Sequence, residues 1–112
     1  MKATLPVPTE SEIHAEYDRK IRSAEEWRTI QLSMARIDRA AATERADHER
    51  AQYIKAGSPV DFAERVWLSM IGDAELRFTR ELERISLRLC NLATDAHNGR
   101  TDALASIGIE AE

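Results

Sequence analysis

The chain has 112 residues, 16 Lys+Arg against 20 Asp+Glu, and a formal charge of −4, which fits one small domain or an extended helical unit. Apolar residues make up 43%, but 17 of them are alanine, so the larger apolar side chains suffice for a narrow seam rather than a thick core. One cysteine, Cys90, excludes an internal disulfide framework and any zinc site built on this chain's thiols alone. No unbroken apolar run exceeds three residues, Val66-Trp67-Leu68 being one, and Met1–Pro8 has one lysine and no apolar stretch. Neither a membrane span nor a signal peptide is therefore expected, and the lone thiol suits a reducing, cytoplasmic setting.

Pro6 and Pro8 hold residues 1–8 out of the helical region, giving an extended arm. Thr9-Glu10-Ser11-Glu12 reads as a capping box, and no Gly or Pro follows until Gly57. The first helix is accordingly placed at about 10–56. Its apolar positions Ile13, Tyr17, Ile21, Ala24, Trp27, Ile30, Met34, Ile37 and Ala41 recur with a mean step of about 3.5 residues, the coiled-coil period. Beyond Ala41 the pattern fades into small residues, Ala42 and Ala46, which are expected to form a loosely packed helix tip. Ala35, one position past Met34, is another small residue on the approachable side.

Gly57-Ser58-Pro59 is the clearest punctuation. Gly57 suits the left-handed position after a helix, Ser58 a cap, and Pro59 a first turn, so the turn is placed at 57–58 and the second helix at about 59–97. Its seam is Ala63, Trp67, Ile71, Ala74, Phe78, Leu82, Ile85, Leu89, Leu92 and Ala96, with a mean step of about 3.67. Gly72-Asp73 is read as a tolerated interruption where a kink is allowed. Asn98-Gly99 is expected to end this helix, leaving 99–112 as a short turn through Leu104 and Ile107, an apolar Ile107–Ile109 contact and a frayed end. The fold class expected is all-α: a long antiparallel helical hairpin spanning 9–98, coiled-coil-like, with a short C-terminal helix or tail. A compact bundle with breaks near Ala41 and Gly72 is the alternative.

Phe62, Val66, Leu76 and Leu87 fall off the second seam, and Leu32 and Ile54 off the first. One hairpin has one internal seam, so these groups need another surface, and a homodimer forming a four-helix bundle supplies it with a single self-complementary patch.

Chemistry is sparse. His14, His48 and His97 are scattered, and the Glu-x-x-His motif of di-iron bundles is absent because Ser11, Arg45 and Thr94 stand three residues before them. A metal site joining His14 and His97 with Glu10, Asp18 and Asp95 is conceivable but nonspecific. No phosphate loop or nucleophile elbow occurs, and Cys90, next to the seam, reads as a partly buried structural thiol. No catalytic residue, cofactor or metal is expected. Arg77, Arg80, Arg84 and Arg88 form a ridge at steps of 3, 4 and 4, open to partial neutralisation by Glu81 and Glu83. Trp27 and Trp67 belong to the seams, although Trp and Arg are also the residues favoured at binding hot spots.

The sequence therefore points to a non-enzymatic interaction module, a small regulator or inhibitor that binds a larger protein, of a kind common among phages and other mobile elements. The partner-contacting candidates are Arg77, Arg80, Arg84, Arg88, Phe62, Leu76, Leu87 and Trp27. The alternatives are a nucleic-acid accessory protein using the Arg ridge and a structural coiled-coil subunit of a larger assembly.

Overall fold

The computed structural model describes residues 7–108. The chain is all-α, with two helices, α1 (Glu10–Lys55) and α2 (Val60–Ser106), and no strand among the described residues. The first six and last four residues, with the Ile109 contact and most of the arm expected from the sequence, lie outside the described part.

The helix ends are set locally. At the start of α1 the Thr9 hydroxyl accepts the Glu12 N–H at 3.2 Å and donates to the Glu12 carboxylate at 3.2 Å. The first half of the box is thus made, whereas Glu12 reaches back to the Thr9 hydroxyl and not to the backbone N–H that the usual capping box engages. At the other end Ser58 N–H bonds to the Tyr53 carbonyl and Gly57 N–H to the Ile54 carbonyl, the paired 6→1 and 5→2 bonds of a Schellman motif. Gly57 has φ +86°, which a residue with a Cβ adopts only under strain. The Pro59 carbonyl accepts the N–H groups of Phe62 and Ala63, so Pro59 stands just before the first helical residue, Val60.

Two expectations about α2 meet different outcomes. The helix passes without a break through Gly72-Asp73. It also continues through Asn98-Gly99, where an end was expected, and stops only at Ser106, with Gly108 at φ +86°. The reason is packing. Ala96, Arg100, Leu104 and Ile107 keep facing inward beyond the glycine, with Leu104 buried, and their contacts outweigh the roughly 1 kcal/mol that a mid-helix Gly costs.

The helices form two units. Unit 1 joins the described residues up to 28 to those from 87 onward, and unit 2 is the helix–turn–helix of residues 29–86. In unit 1 the buried side chains are Ile13 and Ala24 from α1 and Ala96 and Leu104 from α2. Arg100 lies over the Tyr17 ring at 3.8 Å from its centroid. In unit 2 they are Ala35, Ala42 and Ala46 from α1 and Ala63, Ala74 and Ile85 from α2.

Within α1 the buried residues Ile13, Ala24, Ala35 and Ala46 stand 11 apart, and so do Ala63, Ala74, Ile85 and Ala96 within α2. Eleven residues in three turns is 3.67 per turn, close to the natural helix. The α2 seam read from sequence is buried or half-buried throughout. The α1 seam holds as far as Trp27 and then fails, because Ile30, Met34 and Ile37 are exposed while Ala35, Ala42 and Ala46 take the inward positions. A 3.5-residue row drifts about 20° per heptad around a regular helix, so after two or three heptads it leaves the contact line. The stretch expected to be a loose tip is the most tightly closed part of unit 2, with Ala46 and Ala63 at 0% exposure.

Unit 2 is also tied by a ladder along one side. Arg39 pairs with Glu75 at 2.8 Å and lies over the Phe78 ring at 4.7 Å from its centroid. Arg50 reaches Glu64 at 3.5 Å and covers the Trp67 ring at 4.5 Å, while Trp67 Nε1–H donates to Asp47 at 2.7 Å. The residue numbers of Arg39–Glu75, Asp47–Trp67 and Arg50–Glu64 each add to 114, which fixes the antiparallel register. At the turn, Tyr53 and Phe62 meet edge-on with ring centroids 5.3 Å apart.

An alanine seam makes a size-selective prediction. Ala46→Leu forces a branched side chain into a fully closed contact and lowers unfolding stability by about 1–3 kcal/mol. The same change at exposed Ala40 stays within about 0.5 kcal/mol. Urea titration of both variants at one protein concentration makes the comparison.

Candidate interaction surface on unit 2

The tied side of unit 2 leaves another side open. Two residues along a helix correspond to a turn of about 200°, so Ile37 points away from Arg39 and its ladder. Ile30, Met34 and Ile37, at steps of 4 and 3, form one row with 58%, 54% and 64% of their surface exposed. The next member is Ala41, and Ala41 lines a groove of about 510 Å³ between α1 and α2. Buried Ala35, Ala42 and Ala74 also line the groove, alongside Arg45, Arg77, Arg80, Asp38 and Glu81, and Arg39 and Phe78 of the ladder close its far wall. The groove exists because alanines form the contact here: small side chains close the seam but leave a channel above it that larger ones would fill.

The groove is unevenly charged. Glu81 is engaged by Arg84, whose guanidinium donates to its carboxylate at 2.9 Å and also to Gln31 at 3.0 Å. Hydrogen bonding from Arg84 holds the Glu81 carboxyl below its ordinary value and raises the Arg84 guanidinium above its own. Glu16 and Arg19 form the corresponding bonded pair in unit 1, with the same shifts. Arg45, Arg77 and Arg80 make no ion pair within 4 Å among the described residues, and neither does Asp38. Three free cations and one free carboxylate therefore surround an apolar floor.

The residues singled out from sequence separate as follows. Arg77 and Arg80 line the groove, Arg84 is tied to Glu81 and Gln31, and Arg88 falls in unit 1 as an exposed residue. The ridge is thus not one uniform line of free charge, since Glu81 neutralises one of its members. Phe62 is 41% exposed beside Tyr53, and Leu76 and Leu87 are exposed on α2, in units 2 and 1 respectively. Trp27 is half-buried in unit 1. Sequence reasoning assigned Ile30, Met34 and Ile37 to the interior and did not single out Arg45. The spacing of 11 among Ile13, Ala24, Ala35 and Ala46 was the signal that separates the inner seam from the outer row.

Elsewhere the chemistry is thin. Cys90 is exposed, contrary to the partly buried position expected, because one residue past half-buried Leu89 turns it about 100° away from the contact. His14 sits 3.6 Å from Glu10, and His97 Nδ1 lies 3.5 Å from Arg100. Among the described residues no three His, Cys, Asp or Glu side chains gather as a metal-binding group. No helix there is long and apolar enough to cross a membrane. Comparison with protein-family models, with curated proteins and with solved structures finds no match.

The Glu81 shift has a sign. A carboxyl held low in the folded state adds stability above its unfolded value, near 4.5, and loses it as pH falls through the folded value. Glu81→Gln is therefore expected to lose less stability than the parent between pH 5 and 3, by a small margin because the pair is exposed. Acid titration followed by circular dichroism reads the difference.

Proposed function

We propose that the protein is a non-enzymatic helical interaction module that self-associates and acts as a small regulator or inhibitor by binding a larger protein or complex. The observation that carries this reading is the imbalance of large apolar groups. Val7, Ile30, Met34, Ile37, Ile54, Val60, Phe62, Leu68, Leu76 and Leu87 are exposed, whereas only Ile13, Ile85 and Leu104 of comparable size are buried among the described residues, the remaining large apolar groups being half-buried. Covering a side chain of this size is worth roughly 1.5–3 kcal/mol, so a surface with several of them in rows favours association. Leu76 in unit 2 and Leu87 in unit 1, each exposed on α2, are proposed as contacts to the larger partner. The reading also places the chain in the cytoplasm, where the exposed Cys90 thiol stays reduced.

Arg77 and Arg80, without ion pairs among the described residues, support a second reading in which the protein is a nucleic-acid accessory factor. A single experiment separates the two. The tagged full chain is purified from its native host in nuclease-treated and untreated halves, beside a Leu76→Asp/Leu87→Asp variant. A protein retained by the parent after nuclease at moderate salt, and at least about 10-fold depleted on the variant, supports the first reading. Nucleic acid that copurifies and washes off with salt favours the second, because phosphate contacts release counterions. A protein retained equally by parent and variant removes Leu76 and Leu87 from the binding surface.

A further inference from the structure

We infer that the open side of unit 2 is the surface through which two copies of this chain associate, α1 against α1 and antiparallel, with Asp38 of each copy meeting Arg77 and Arg80 of the other. The inference rests on the self-association part of the function proposed above and names the face, the orientation and the charges.

Spacing is the first ground. The row Ile30, Met34, Ile37, Ala41 advances by 4, 3 and 4, a heptad pattern, while the inner seam of the same helix advances by 11. A heptad row drifts off a contact that follows the regular helix, but it is the pattern that two helices supercoiled around each other keep in register. Its three large members are exposed, so packing among the described residues leaves most of their surface uncovered. The natural occupant is another helix, and a flat row beside an alanine-floored groove gives it room to lie down.

Charge is the second ground, and it selects a second copy. In the unit 2 register, where paired residue numbers add to 114, Arg80 of α2 stands level with position 34 of α1, and Arg77 with position 37. Pairing two α1 rows antiparallel about the midpoint of Met34 and Ile37 brings the other copy's Asp38 level with position 33. That is within a helical turn of Arg80 and one turn or so from Arg77. The reverse contact forms at the same time by symmetry, which is the property an isologous interface requires. Arg77, Arg80 and Asp38 have no ion pair among the described residues, so none is given up there when the second copy arrives. Arg39, which also lines the groove, is already paired with Glu75, and Asp47 and Arg50 are engaged in the same ladder, so these groups are not available to a second copy.

The test uses the full chain and light scattering behind size exclusion. The parent is expected to run at twice the 12.7 kDa chain mass at micromolar concentration. Arg77→Glu/Arg80→Glu places four carboxylates against the two Asp38 side chains and weakens the pair at least about 100-fold, giving a single-chain mass. Asp38→Arg alone does the same by opposing like cations. Both variants keep the helical circular dichroism of the parent, since none of the three residues is buried. Mixed in equal amounts, the two variants recover the double mass, because each supplies the charge the other lacks. A parent of single-chain mass up to about 100 µM overturns both the inference and the self-association it rests on. A double mass that survives in the separate variants, or a mixture that stays at single-chain mass, overturns the inference alone and moves the dimer contact to another face.

Discussion

The constraint on which the rest depends is alanine at the inter-helix contact. Within unit 2 the buried positions are Ala35, Ala42, Ala46, Ala63 and Ala74, with Ile85 the one large side chain among them, while Trp67, Ile71, Phe78 and Leu82 turn inward half-buried. Helices in contact through such small groups sit toward the near end of the usual 8–10 Å range of axis separations. Close approach brings the flanking groups into reach of one another, and the Arg39–Glu75, Arg50–Glu64 and Asp47–Trp67 ladder follows from it. It also limits what the contact stabilises, because an alanine removes little apolar surface from water. On α1 the larger apolar side chains Ile30, Met34 and Ile37 then stand outside the seam, and the outer surface becomes the place where further stabilisation is available.

How far this was legible in the sequence depends on the period of each helix. In α2 the apolar positions already follow 3.67 residues per turn, so the pattern and the contact coincide and every seam residue from Ala63 to Ala96 turns inward. In α1 two patterns overlap. They share Ile13, Ala24 and Trp27 and then part, and the row with the larger side chains is the one that turns outward. Hydrophobicity counts large residues and passes over alanine, which is why Ala35 and Ala46 carried less weight than Ile37. The turn was legible because its chemistry is local: Gly57 and the two residues after it suffice. The end of α2 was not, because Asn98-Gly99 is a local stop signal that contacts of Leu104 and Arg100 in the fold override.

The candidate surface shows the same division. Exposure of Phe62, Leu76 and Leu87 follows from their positions off the α2 seam and was readable from a helical wheel. Which arginines are free was not, since it depends on the partner across the groove or one turn away. Arg84 is held by Glu81 and Gln31, whereas Arg77 and Arg80 are not held, although all three belong to one ridge in the sequence. Joining the free arginines to the Ile30–Met34–Ile37 row required both the register of the helices and the identity of the true inner seam.

The α1 seam leaves a row of large apolar groups outside it, and the proposed self-association would cover that row. Thermal unfolding measured over a 100-fold range of protein concentration tests it most directly, because a folded state that is bound to a second copy gains stability by mass action. The account predicts a midpoint that rises steadily with concentration. A midpoint that stays constant across the range would contradict it, and would mean that Ile30, Met34 and Ile37 remain in water when the chain is folded.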